Sequence, residues 1–239
     1  MCQFLSAIVS KNGEVYCDPF VDSHEEILQR FVLRDNDSQF IDNIVRVEFT
    51  PQNDDWFDVE NYNLRVDENS IPAWWQEVEQ SVRQNLSDRI QRMIVDKAEN
   101  KVLCGGVYIV RDSKILWTRY TKMLLICGNS TIENVRGNST IENVWGNSTI
   151  KNVWGNSTIE NVWDNSTIEN VWGNSTIKNV RGNSTIKNVW DNSTIKNVWD
   201  NSTIENVWGN STIENVRDNS TIENQSEYNL KATNKKLTK

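Results

Sequence analysis

From residue 128 onward, the apolar and polar positions of this chain repeat every nine residues. The unit is [Gly/Asp]-Asn-Ser-Thr-Ile-[Glu/Lys]-Asn-Val-[Trp/Arg], and eleven units run from Gly128 to Ser226. So strict a period predicts a stacked array in which each unit buries its apolar face on its neighbours. Nine residues are not close to a whole number of helical turns, so a helix would smear Ile and Val around its surface. Thr, Ile, Val and Trp favour strands, and Gly-Asn or Asp-Asn supplies a turn in every unit. The array is expected to be an all-β solenoid.

Coil size follows from reach. Nine residues extend to about 30 Å, which leaves little for strands once walls ~10 Å apart are bridged. Eighteen residues, two units, make a workable coil. Alternate units would then stack, and their Asn side chains could form hydrogen-bonded ladders. The sixth position reads E, E, K, E, E, K, K, K, E, E, E, so this pairing sets unlike charges together in 6 of 9 steps. Ile and Val stand three apart, and a straight strand cannot point both inward. A corner near the Glu/Lys–Asn pair would resolve this.

The ninth position is Trp or Arg, and a residue that exchanges with Arg is expected outside. Alternate stacking gives one row of Trp154, Trp172, Trp190 and Trp208, and a second of Trp145, Trp163, Arg181, Trp199 and Arg217. An exposed aromatic row would be a contact surface for another copy of the chain, a glycan, or bases stacking on indole rings. Alternatively, the rings lie on the coil and stabilise it by packing on one another. A calcium-binding roll needs Gly-Gly-x-Gly-x-Asp turns, which are absent. An ice-binding face usually carries paired Thr rows, whereas each unit here has one Thr.

Residues 107–127 resemble the repeats imperfectly and are expected to cap the array. Met123 falls on the Ile position and Ile126 on the Val position, while Asp112-Ser113-Lys114-Ile115 echoes an earlier unit with one residue missing. At the far end Gln225 and Ser226 replace Val and Trp. The Lys-rich tail, 227–239, is expected to be disordered or to cap the last coil in part.

Residues 1–106 follow a different pattern, that of an α+β domain. Gln3–Val9 and Glu14–Cys17 flank a Lys11-Asn12-Gly13 turn and read as a hairpin. Ser23-His24-Glu25-Glu26 has capping-box spacing before a helix with Ile27, Leu28, Phe31 and Val32 on one stripe. Ile44–Phe49 and Asn63–Val66 read as strands. Between them lies a polar loop anchored by Trp56 and Phe57. Ser70 as cap and Pro72 in the first turn open a helix of roughly 20 residues. Its apolar stripe runs through Trp75, Val78, Val82, Leu86, Ile90, Met93 and Ile94. A strand follows at Val107–Val110.

Net charge is −8, unevenly placed. Residues 1–106 hold 10 Lys+Arg against 20 Asp+Glu, and residues 107–239 hold 15 against 13. Phosphate contacts need Lys and Arg, so nucleic acid is an unlikely partner for the first part. Four dispersed cysteines fit a reducing cytoplasm better than a disulfide framework. No signal peptide or membrane span is expected, and the Asn-Ser-Thr triplets read as turn residues rather than glycan acceptors. One His and scattered Cys give no metal-ligand spacing, and no phosphate loop or dinucleotide motif is present, so no metal or cofactor is expected.

One constellation could carry catalysis. Removal of Met1 would leave Cys2 as an N-terminal nucleophile, with the single histidine, His24, as acid or base and Asp22 orienting its imidazole. The chain start is superficially similar to that of glutamine amidotransferases, although Gln3 stands where those proteins usually have Gly. The competing reading makes Cys2 a buried strand residue and Asp22-Ser23-His24 a helix cap.

A broader resemblance rests on MCQFLSAIVSKNGEVYC, DSHEEI, VRVEFTP, DDWFDV, LRVDE and PAWW, followed by short-period x-I-x-x-V repeats. Together these resemble a family of uncharacterised phage and prophage proteins that join a small N-terminal domain to a variable repeat array. The resemblance implies a phage origin and action in the host cytoplasm, and assigns no functional residues. The expectation is a binding protein whose array is a rigid spacer or multivalent Trp/Arg surface. Its partner would be a protein or, through the solenoid, a second copy. The alternatives are an N-terminal-Cys hydrolase or amidotransferase-like enzyme, and an inhibitor of a host defence protein.

Overall fold

A computed structural model describes residues 4–33, 43–225 and 230–233. The chain divides into two compact units, one ending at Ile94 and the other starting at Val95. Among the described residues no helix is long and apolar enough to cross a membrane.

The first unit is α+β. Strands β1 (Ser6–Ser10), β2 (Val15–Tyr16), β3 (Ile44–Thr50) and β4 (Asn63–Val66) form an antiparallel sheet in the order β2-β1-β3-β4. Central β3 is covered on both faces, with Val45, Val47 and Phe49 fully buried and Glu48 nearly so. Helix α1 (His24–Arg30) starts at Ser23, whose side chain accepts the Glu26 N–H. The expected stripe stops early. Ile27 and Leu28 are buried, but Phe31 ends the helix and Val32, at φ 56°, is 79% exposed.

Helix α2 spans Trp75–Met93 and buries Trp75, Val82, Leu86, Ile90 and Met93. It begins later than the Ser70–Pro72 signal implied. Pro72 disfavours helical geometry at Ile71, and the first turn closes only where the Trp75 N–H meets the Pro72 carbonyl.

The second unit is a parallel β-solenoid. Its first strands are β5 (Ile94–Asp96), β6 (Lys101–Cys104), β7 (Val107–Arg111), β8 (Lys114–Arg119), β9 (Lys122–Cys127) and β10 (Thr131–Arg136). Each later repeat adds one five-residue strand, from β11 (Thr140–Val144) to β20 (Thr221–Gln225). Even-numbered strands from β6 to β20 form one sheet, while odd-numbered ones form the other, which ends in β21 (Leu230–Thr233). Thr131 pairs with Thr149, Ile132 with Ile150 and Val135 with Val153, a step of 18 residues. The eight-stranded sheet therefore rises about 34 Å at ~4.8 Å per strand.

The parallel sheets reach back to β5, inside the segment assigned on sequence to the first domain. They also take in part of the Lys-rich tail, since β21 pairs with β19, setting Leu230 beside Ile213.

Strands β11 to β19 share the burial order half-buried, buried, half-buried, half-buried, buried, save that Lys196 of β17 is exposed. Ile and Val are both sealed inside, so the strand bends at the Glu/Lys–Asn pair between them. Here the Asn side chain of one coil donates to the Glu/Lys carbonyl of the coil below, as Asn152 does to Glu133 at 3.1 Å. It also donates to the Asn beneath it, at 3.1 Å for Asn170 to Asn152. This satisfies the carbonyl that the bend removes from the regular ladder. Ser completes the interior: Ser148 is buried and its hydroxyl donates to the Trp145 carbonyl at 2.8 Å. The core is one continuous cluster from Leu103 to Ile222.

At each turn the first residue has positive φ, 73° at Gly146 and 62° at Asp164. A Cβ at Gly155 would stand 3.0 Å from the Gly137 carbonyl oxygen. Asp offsets that crowding by accepting a hydrogen bond: Asp191 Oδ2 takes the Gly173 N–H at 3.0 Å.

The join matches the sequence alignment, with Met123 beside Ile141 and Ile126 beside Val144. Two turns are each one residue short. Arg111 pairs with Cys127 and Lys114 with Thr131, so Asp112, at φ 47°, alone spans what Gly128-Asn129 span above it. Arg119 pairs with Arg136 and Met123 with Ile141, so Tyr120 alone spans what Gly137-Asn138 span above it. Tyr120 takes the left-handed conformation, φ 55°.

Candidate functional site

Every turn carries the chain from one sheet to the other, so the ninth positions of alternate repeats line opposite edges of the solenoid. On one edge the indoles stack face to face. Trp154–Trp172, Trp172–Trp190 and Trp190–Trp208 have centroid separations of 5.3, 5.6 and 5.7 Å and interplanar angles of 6°, 21° and 20°. Their inner faces are thereby occupied by neighbours. Only Trp154 and Trp208, at the two ends, are exposed, at 41% and 40%. The row predicted from sequence exists, and its rings stabilise one another along the coil axis.

The opposite edge is mixed. Trp145 and Trp163 are tilted by 58° at 6.4 Å. The Arg181 guanidinium lies 5.3 Å from the Trp163 centroid and 4.0 Å from that of Trp199. Arg therefore replaces Trp within the stack as a planar cation. The Trp145, Trp163 and Trp199 indole nitrogens and Arg181 Nε on this edge, and those of Trp172 and Trp190 on the other, are buried without a hydrogen-bond partner, so the packing of both edges outweighs several unmade bonds.

On the sheet faces, the sixth positions stack as expected. Lys151 reaches Glu133 at 3.3 Å, Lys178 reaches Glu160 at 2.5 Å and Lys187 reaches Glu169 at 3.3 Å.

Of the proposed catalytic group, Cys2 lies outside the described residues. His24 is 4% exposed. Its Nε2 lies 3.0 Å from the Val47 carbonyl oxygen, which only accepts, so this nitrogen carries the hydrogen. Nδ1 faces Oδ2 of Asp67 at 3.8 Å. Asp67 Oδ1 accepts from Arg65, which also donates to the buried Glu48 at 3.0 Å. Asp22 offers its backbone carbonyl to the Ser6 hydroxyl at 2.7 Å. The carboxylate against the imidazole thus comes from Asp67, 43 residues away in sequence, and no local spacing signalled it.

Burial pushes the Cys17 thiol up, against the nearby Arg89 charge. Cys104 is exposed and Cys127 half-buried. Among the described residues no three His, Cys, Asp or Glu side chains are gathered so as to hold a metal ion.

Below Trp154 its edge continues through Arg136 and Arg119, in register on β10 and β8, and on to Cys104 on β6. Arg136 closes the first regular unit, whereas Arg119 and Tyr120 lie in the imperfect units, where the period alone did not single them out. Comparison with family models, with curated proteins and with solved structures finds no match.

Proposed function

We propose that the chain is an interaction protein of the phage or prophage type, acting in a host cytoplasm. In this reading the N-terminal α+β unit recognises a protein partner and the solenoid is its rigid spacer. The observation that carries it is the uniform interior: every regular coil puts only Ser, Ile and Val inside. Its ladders and stacked edges hold one geometry over many coils. Such a body suits spacing and display better than turnover.

The test pairs affinity capture with thiol chemistry on the full chain. Stoichiometric co-purification of a defined host protein, together with Cys2 alkylation no faster than that of exposed Cys104, supports this reading. A Cys2 that alkylates far ahead of Cys104, with amide hydrolysis lost in Cys2→Ala, overturns it in favour of the enzyme.

A further inference from the structure

We propose that the first coils of the solenoid bind a nucleoside phosphate, at a site formed by Arg119, Tyr120, Arg136 and Trp154. This inference is independent of the interaction role above.

Arg119 and Arg136 pair in register on adjacent strands, so two exposed guanidinium-bearing side chains start one strand spacing apart. Like charges so placed repel. Among the described residues neither forms an ion pair with a carboxylate. Arg119 donates to the Tyr120 hydroxyl at 3.1 Å, and its guanidinium lies 4.7 Å from that ring's centroid. By contrast, Arg111 at the other edge is held by both oxygens of Asp96.

The turns confirm the asymmetry. Along the edge of Arg119 and Arg136 the described turns carry a single acid, Asp191, three coils above Gly137. The opposite edge carries Asp112, Asp164, Asp200 and Asp218. The pair therefore stands in a locally positive field, with donors suited to a phosphate dianion.

Two exposed aromatic side chains adjoin the pair. Tyr120 is 52% exposed and Trp154 41%. Trp172 stacks on one face of Trp154, leaving the other directed toward the Arg136 coil. Elsewhere such a face is used: Arg181 is clasped between two indoles.

The Tyr120 backbone adds an independent sign. A bulky residue with φ 55° occupies a place that regular turns give to Gly or Asp, and such outliers gather at ligand sites. Its ring would lie within 3.0 Å of a Cβ at Gly137, so Gly137 is needed to seat it. Two guanidinium groups take the phosphate, and the exposed indole face or tyrosine ring takes the base.

The probes are adenosine 5′-monophosphate, adenosine, inorganic phosphate, and a short oligodeoxyadenylate with or without a 5′-phosphate, titrated calorimetrically into the full chain. The monophosphate should bind saturably and more weakly as salt rises. Arg119→Gln and Arg136→Gln should each weaken it about tenfold. Trp154→Leu should weaken the monophosphate but leave inorganic phosphate unchanged. Arg217→Gln, an exposed arginine at the other edge, should change nothing. Binding of the free monophosphate alone identifies a free nucleotide as the ligand, and equal binding of the 5′-phosphorylated strand identifies a strand end. The proposal is overturned if adenosine binds as well as its monophosphate. The same holds if inorganic phosphate binds as tightly as the nucleotide, if the strand binds without its 5′-phosphate, or if the arginine variants, folded by circular dichroism, bind like the parent.

Discussion

Arg181 and Asp191 explain why two positions of the repeat each accept two residue types. Arg181 holds its planar cation between Trp163 and Trp199, so it fills the space an indole would and adds cation–π attraction. Arg181→Ala should open a gap in the stack and cost about 1–2 kcal/mol, measured by urea unfolding. Arg181→Trp should change the midpoint little, because the opposite edge already stacks Trp on Trp. Asp191 sits at φ 60° and accepts the Gly173 N–H. Asp191→Ala keeps the unfavourable backbone and loses the acceptor, a cost of about 1 kcal/mol. Asp191→Gly loses the same acceptor but relieves the backbone, so its midpoint should lie close to wild type. If Ala and Gly behave alike, the left-handed turn is not what selects this position.

Among the elements, β5 and β7 are joined by a bidentate pair: Arg111 donates to Asp96 at 3.0 and 2.7 Å. Arg111 hydrogen bonding holds the Asp96 carboxyl below its ordinary 3.8, against the opposing effect of burial. The folded-state value is lowered, so this stabilisation is complete above the unfolded value and lost as pH falls through the folded one. Asp96→Asn should therefore lower the urea midpoint at neutral pH, and the gap from wild type should close as pH drops below 3.8. Most elements of this kind were legible in sequence, because strand and turn residues recur at fixed spacing. The 18-residue coil followed from reach alone, and the bend from the three-residue gap between Ile and Val. What escaped notice depends on contacts without local periodicity. The Glu48–Arg65–Asp67–His24 chain joins three separate segments. The start of α2 is set by Pro72 rather than by Ser70. The aromatic rows were read correctly in sequence order, but ring orientation is decided by neighbours, and stacking turned an exposed face into an edge exposed only at its ends. The shortened turn at Asp112 was legible from its Asp-Ser-Lys-Ile echo of the repeat, whereas the second, at Tyr120, carries neither Gly nor Asp to mark it.

At the scale of the whole molecule, the solenoid is a one-dimensional stack whose repeats contact chiefly the coils above and below. Every repeat but the last presents the same inward Ser, Ile and Val, and the two sheets use them in the same burial order. The two strands of a coil are then physically equivalent, although they lie on different faces. Removing residues 155–163, one repeat, joins Trp154 to Asp164 and moves each later strand to the other sheet. The later Trp and Arg side chains change edges, but the interior is unaltered. This nine-residue deletion should fold, with β-sheet circular dichroism reduced in proportion and a single urea transition. Deleting Asn161 alone should be far more damaging than removing all nine residues. It erases the bend, turns Val162 away from the core and removes Asn161 bonds to Glu142 and Asn143. A chain that tolerates loss of Asn161 but unfolds on loss of the repeat would show that the two faces are not interchangeable.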